Sequence, residues 1–197
     1  MPGNPCPFLR ALVEHGAISD GVEPLGHVSS TVAKAFDQPG REKILAALVY
    51  EVALTANGLG PKQIIKNRLH GMDVEGLRDG PFDKHGTGSR ILDKFSVVDE
   101  AELDRLDEFA SDFVDPESGL TERGLSADGV EAMLDANFER AKETRRAIDR
   151  RLMDAEFPKL LEAMGKDSPD GLYLSIAEVR VLFIERRLPD RVANRLL

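Results

Sequence analysis

The hydrophobic pattern of this 197-residue chain predicts an all-α protein, folded as a single compact helical domain over residues 1–197. Three observations carry that expectation. Apolar residues recur at helical spacing in most of the segments between turn residues. No run alternates apolar and polar residues for long enough to read as a half-buried strand. The length suits one hydrophobic core, and no linker-like tract or internal repeat divides the chain.

The first helix is expected to start at Pro7, since proline lacks an N–H that the first turn would leave unbonded anyway. It carries Phe8, Leu9, Leu12 and Val13 on one face and should stop near Gly16. The stretch REKILAALVYEVALTANG reads as the most apolar helix, closing at Asn57-Gly58. A short helix is expected from Pro61 through Ile65. DEAELDRLDEFASDF reads as an acidic amphipathic helix with Leu103, Leu106, Phe109 and Phe113 on its dry side.

Ser126 is placed to cap a long helix that kinks or restarts at Pro158 and ends at Gly165. Ser175 and Glu178 have capping-box spacing for a last helix that Pro189 ends. The segment HGMDVEGLRDGPFDKHGTGSR, His70 to Arg90, is glycine-rich and has no helical period. A loop of that length in a compact domain points to function or disorder.

Composition narrows the function. Apolar residues make up 42% and charged residues 31%, as in an ordinary globular protein. A formal charge of −9 argues against nucleic acid or an anionic membrane as the main partner. No apolar stretch is long enough to span a bilayer. The opening MPGNPCPF lacks a basic region followed by an apolar run, so no secretory leader is expected. One cysteine cannot form an internal disulfide, which fits a reducing, cytoplasmic compartment.

That cysteine, Cys6, lies between Pro5 and Pro7 at the start of the first helix. It reads in one way as a small apolar residue near a chain end. In another, the helix dipole and the free amides of the first turn favour an anionic sulfur there. The flanking prolines stiffen the backbone and remove competing donors.

Two other chemistries fail on spacing. An EF-hand loop centred on Gly171 would have Lys166 at its first position and Ala177 at its twelfth. The glycine-rich segment lacks the spacing of a nucleotide phosphate loop.

NPCPFLRALVEHGAI, followed by DG and HVSSTVAKAF, resembles the N-terminus of the haem-thiolate peroxidases, the chloroperoxidases and unspecific peroxygenases. PFDKHGTGSR and SPDGLYLSIAEVRVLFIERRLPDRV resemble two later segments of that family in the same order. The resemblance implies haem b held by an axial Cys6 thiolate in the Pro5–Pro7 turn. It implies hydrogen peroxide as oxidant and a small organic molecule as substrate. On an ungapped alignment Asp83 and Thr87 would supply oxygens to a Mg²⁺ ion. Lys84 departs from the family pattern, and its ammonium would take the cation's place beside a haem propionate. A one-residue slip makes His85 the distal histidine, although it also reads as a solvated loop histidine.

For the acid that moves the peroxide proton, Asp154 lies at the matching spacing before Phe157-Pro158, with Glu156 beside it. Arg150, one turn earlier, can pair with Asp154. The same stretch also reads as a charged, solvent-facing helix. Phe82, Phe138, Phe157 and Phe183 are candidates for pocket lining or for plain core. Two alternatives keep the resemblance without peroxide chemistry: a haem-binding protein, or a haem-free helical binding protein.

Overall fold

The computed structural model describes residues 4–36, 61–77, 87–93, 95–154 and 156–197, which form a mixed α/β architecture in place of the expected all-α fold. The apolar helix expected before Asn57-Gly58 lies outside the described residues, as do Phe82, Asp83, Lys84 and His85. The chain forms two compact units, Met1–Asp83 with Arg186–Leu197, and Lys84–Glu185. Among the described residues no helix is long and apolar enough to cross a membrane.

In the first unit, α1 (Pro7–Glu14) starts with proline at its first position and buries Phe8, Leu9, Ala11 and Leu12. It ends as the sequence implies. Gly16 takes φ +72°, its N–H donates to the Val13 carbonyl, and the Ala17 N–H donates to Leu12, both at 2.9 Å. This double closure satisfies carbonyls that the last turn leaves open. A two-residue strand, β1 (Val22–Glu23), leads into α2 (Leu25–Phe36), and Phe36 meets Phe8 edge-on at 5.8 Å.

The helix at Pro61 runs further than expected, as α3 (Pro61–His70), and Gly71 turns the chain into β2 (Met72–Asp73). β2 pairs antiparallel with β1, Val22 opposite Asp73. A Cβ on Gly71 would lie 2.1 Å from the Glu23 carbonyl oxygen, so this close crossing needs glycine. The C-terminal helical turns, Asp190–Ala193 and Asn194–Leu196, return to α2, where Arg195 donates to the Ala35 carbonyl at 2.9 Å.

The second unit holds most of the correction to the fold class. Asp99 caps α4 (Glu100–Asp104), accepting from the amides of Ala101 and Glu102. The helix tightens to 3₁₀ over Arg105–Phe109, Ala110 becomes extended, and β3 (Ser111–Val114) begins. Phe113 is therefore a strand residue rather than the end of an acidic helix. β4 (Thr121–Leu125) returns antiparallel, with Phe113 opposite Glu122.

After β4, Ser126 caps α5 (Ala127–Arg140) as expected, accepting from the Gly129 amide at 3.1 Å. The predicted long helix is broken into α5, α6 (Asp149–Met153) and α7 (Phe157–Met164), the last ending at Gly165. β5 (Lys166–Ser168) and β6 (Gly171–Ser175) form a tight hairpin, and Gly171 takes φ +110°. The sheet order is β3-β4-β6-β5, antiparallel throughout.

These strands escaped the periodicity test because each is at most five residues long. One of them, Thr121-Glu-Arg-Gly-Leu, is dominated by polar groups. Their pairing comes from tertiary contact. Phe113 stacks on Tyr173 at 4.4 Å, and a Cβ on Gly124 would lie 2.3 Å from the Tyr173 ring. Behind the sheet, α8 (Ile176–Arg180) continues into a π-helical turn at Val181–Glu185. The core of the unit is closed by Leu103, Leu125, Met133, Met153, Phe157 and Phe183.

Candidate functional site

The first unit places Cys6 where the sequence puts it, as the residue immediately before α1, with extended backbone angles of φ −86° and ψ 111°. Its carbonyl accepts from Arg10 at 3.1 Å, which closes the first helical turn. Its side chain makes no capping hydrogen bond, and it is half-buried. Pro7 contributes no N–H, and the amides of Phe8 and Leu9 have no acceptor within the helix. The entrance therefore carries the positive end of the helix dipole next to the sulfur.

Asn4 folds over the same entrance. Its Oδ1 accepts the Cys6 N–H at 2.8 Å, and the residue is only 7% exposed. Its Nδ2 is buried with no hydrogen-bond partner among the described residues. A half-buried cysteine at a helix entrance, in a turn stiffened by two prolines, has the donor atom and the setting that a thiolate ligand to a haem iron would need.

The second unit separates the two candidate acids. Asp154 is 56% exposed and ion-paired with Arg150, which also donates to Asp135 at 2.8 Å. The expected Arg150–Asp154 pair thus forms, at the surface. Glu156 immediately precedes α7, and its Oε2 is buried. Phe157 and Pro158 open the helix behind it, and Phe157 is fully buried. Of the two carboxylates, Glu156 is the more buried. The spacing template, which ranked Asp154 first, carried no information about burial. Phe157 and Phe183 pack at 6.3 Å as core, while Phe138 lies under the Arg145 guanidinium at 4.1 Å.

The end of the glycine-rich segment is anchored. Thr87 and Ser89 are buried, and Gly88 takes φ +79°. The Asn137 amide from α5 donates to the carbonyls of Gly88 and Ser89 at 3.0 and 3.4 Å. Its Oδ1 accepts from Arg105 and Arg140 at 3.0 and 3.3 Å. Arg140 and then Arg90 and Arg105 surround Glu102 and hold its carboxyl below its ordinary range, the Arg140 hydrogen bonds being the largest cause. Arg90 occupies φ +63°, a left-handed conformation that is strained for a side chain with a Cβ. Among the described residues no group of three or more His, Cys, Asp or Glu is arranged to hold a metal ion.

The largest polar constellation was not anticipated. Lys166 Nζ sits 2.5 Å from Asp115 Oδ2, 2.8 Å from Glu122 Oε1 and 3.8 Å from Glu178 Oε1. The Tyr173 hydroxyl donates to Glu122 Oε1 at 2.6 Å, and the Ser175 hydroxyl donates to Glu122 Oε2 at 2.8 Å. Ser175 is thereby drawn away from the capping role its spacing suggested.

Lys166 holds the Asp115 carboxyl far below its usual range, with help from the Ser118 and Glu117 amides. Burial raises Glu122, but donors from Lys166, Tyr173 and Ser175 outweigh it and leave the carboxyl below its ordinary value. Burial and then the Glu122 carboxylate push the Tyr173 phenol well above its own. The only sequence signal for this group was Lys166 standing where an EF-hand would place an acid.

Cys6 belongs to the first unit, and Arg150, Asp154 and Glu156 belong to the second. Comparison with family models, with curated proteins and with solved structures finds no match to this chain.

Proposed function

We propose that the protein is a haem-thiolate oxidoreductase that uses hydrogen peroxide on a small organic substrate. One observation carries the reading: Cys6 is held half-buried between Pro5 and Pro7, immediately before α1. Haem b bound through that sulfur would supply an iron to which the thiolate pushes electron density, favouring O–O cleavage. Pro5 and Pro7 stiffen the turn that presents the ligand. Glu156 and Asp154 are the acid–base candidates, either of which would take a proton from one peroxide oxygen and return it to the other. Arg150 is ion-paired with Asp154 and would orient it.

Within the same reading, Asp83 and Thr87 are the proposed oxygen donors to Mg²⁺, with Lys84 as the alternative cation and His85 as the distal histidine. Metal analysis of the haem-loaded protein separates the first two. The acidic charge and single cysteine support a cytoplasmic protein without a nucleic-acid partner.

A second reading, a haem-binding protein without peroxide chemistry, draws on the surface pairing of Asp154, the acid at the matching spacing. Optical titration with haemin, then reduction under carbon monoxide, tests the ligand. A strongly red-shifted Soret band is expected in the wild type and lost in Cys6→Ala. Identical spectra from the two proteins would overturn the thiolate assignment. Peroxide-dependent oxidation of a dye, abolished in Glu156→Gln or in Asp154→Asn, decides between the two readings.

A further inference from the structure

We propose that the cleft lined by α4, β4 and α8 binds a small zwitterion, a free α-amino acid with an apolar side chain. Arg180 takes its carboxylate, and Asp104 and Asp107 take its ammonium group. The site lies within the second unit and stands apart from the haem reading.

The cleft has a volume of about 490 Å³, within the range of small-molecule sites. Where α4 runs on into the 3₁₀ segment it supplies Asp104 and Asp107, three residues apart and so on one side of the chain. α8 supplies Ile176, Ala177 and Arg180, the first and last one turn apart. β4 adds Glu122 and Arg123.

Two of these charges are already committed. Glu122 accepts from Lys166, Tyr173 and Ser175. Arg123 donates to Asp107 Oδ1 and to the Asp107 carbonyl, both at 2.8 Å, and to Asp112 Oδ1 at 3.2 Å. The other three keep capacity. Arg180 donates from Nη2 to Asp104 Oδ1, and its Nε and Nη1 have no acceptor among the described residues. A guanidinium offers five N–H groups in a planar fork, so Arg180 retains the edge on which a carboxylate is held by two parallel bonds. Asp104 and Asp107 each use Oδ1 for an arginine, and Oδ2 of each has no donor among the described residues. Those two oxygens are acceptors for an ammonium group.

The presence of both signs selects the ligand. A simple anion at Arg180 would meet the charges of Asp104 and Asp107, and a simple cation would meet Arg180. A molecule carrying both charges avoids each repulsion. The apolar part of the lining, Ile176 and Ala177, suits a branched aliphatic side chain.

Calorimetric titration of the haem-free full chain with L-leucine, leucinamide and 4-methylpentanoate tests the assignment. The amide lacks the carboxylate, and the acid lacks the ammonium group. Leucine is expected to bind with a dissociation constant of about 1 mM, and each analogue about tenfold more weakly. Arg180→Gln should weaken leucine about tenfold and leave leucinamide unchanged. Asp107→Asn keeps an oxygen for Arg123, and should weaken leucine while leaving 4-methylpentanoate unchanged. Ala177→Leu touches no ion pair, fills the cleft from an exposed position, and should abolish binding. Circular dichroism checks that each variant is folded. No heat from leucine at about 10 mM, equal affinity for the three molecules, or leucine binding that survives Ala177→Leu would overturn the site. Equal weakening of all three molecules by Arg180→Gln would overturn the role given to Arg180.

Discussion

The mouth of α1 and the Lys166 cluster are both built from partly buried polar groups, and they are completed in opposite ways. Around Lys166 each strong donor finds an acceptor: the ammonium meets Asp115 and Glu122, and the hydroxyls of Tyr173 and Ser175 take the remaining demand of Glu122. At α1 the Asn4 carboxamide answers the Cys6 N–H through Oδ1, and its buried Nδ2 has no partner among the described residues. A closed network has nothing with which to bind a ligand, and its role is to hold the two hairpins of the sheet together.

Breaking the closed network is expected to give the largest effect. Lys166→Met leaves Asp115, Glu122 and Glu178 facing one another, and should destabilise the protein by about 3 kcal/mol. Thermal unfolding followed by circular dichroism should show a midpoint lower by about 10 °C.

The pH dependence follows from the same groups. Asp115 and Glu122 lie below their ordinary values, so their contribution is present above about pH 4 and is lost as the pH falls through their folded values. The folded state binds fewer protons than the unfolded one there, so acid favours unfolding. Tyr173 and Lys166 lie above theirs, Lys166 because Asp115 and Glu122 together outweigh its burial. Their contribution is complete below about pH 10 and is lost as the pH rises through the folded values. Urea midpoints across pH should therefore fall at both ends, and Lys166→Met should flatten the acid limb.

Two intermediate effects probe the packing around the network. Gly124→Ala drives a methyl into the Tyr173 ring and should cost about 2 kcal/mol, with a changed near-ultraviolet tyrosine signal. Asn137→Leu strips donors from the Gly88 and Ser89 carbonyls and should cost a similar amount, about 2 kcal/mol. Faster hydrogen exchange at residues 87–90 would accompany it.

The smallest effect sharpens the comparison most. Ser126→Ala removes a true helix cap, costs about 1 kcal/mol, and should add to Glu122→Gln within about 0.5 kcal/mol. Ser175→Ala should not add, because Ser175 spends its hydroxyl on Glu122. A double-mutant cycle with additive energies would show that Ser175 is a cap after all.

Much of the local structure was legible. Pro7, the stop at Gly16 and the cap at Ser126 are decided within a few residues of chain, by backbone donors and acceptors that need satisfying in any context. The position of Cys6 at a helix mouth follows from the same rules. The strands were not legible, because Phe113 continues the spacing of Leu106 and Phe109 and only a partner strand turns it the other way. The differing exposure of Asp154 and Glu156 was not legible either, because spacing does not encode burial.

The sequence by itself determined where α1 starts and stops, where α5 is capped, and where the one thiol sits, because those depend on neighbours along the chain. Only the tertiary structure decided which polar groups are answered. Ser175 caps or bonds Glu122, and Lys166 is a failed calcium ligand or the centre of a network, according to which distant residues arrive beside them. The energy of a polar group turns on its partner, and that partner can lie about fifty residues away, as Asp115 does from Lys166.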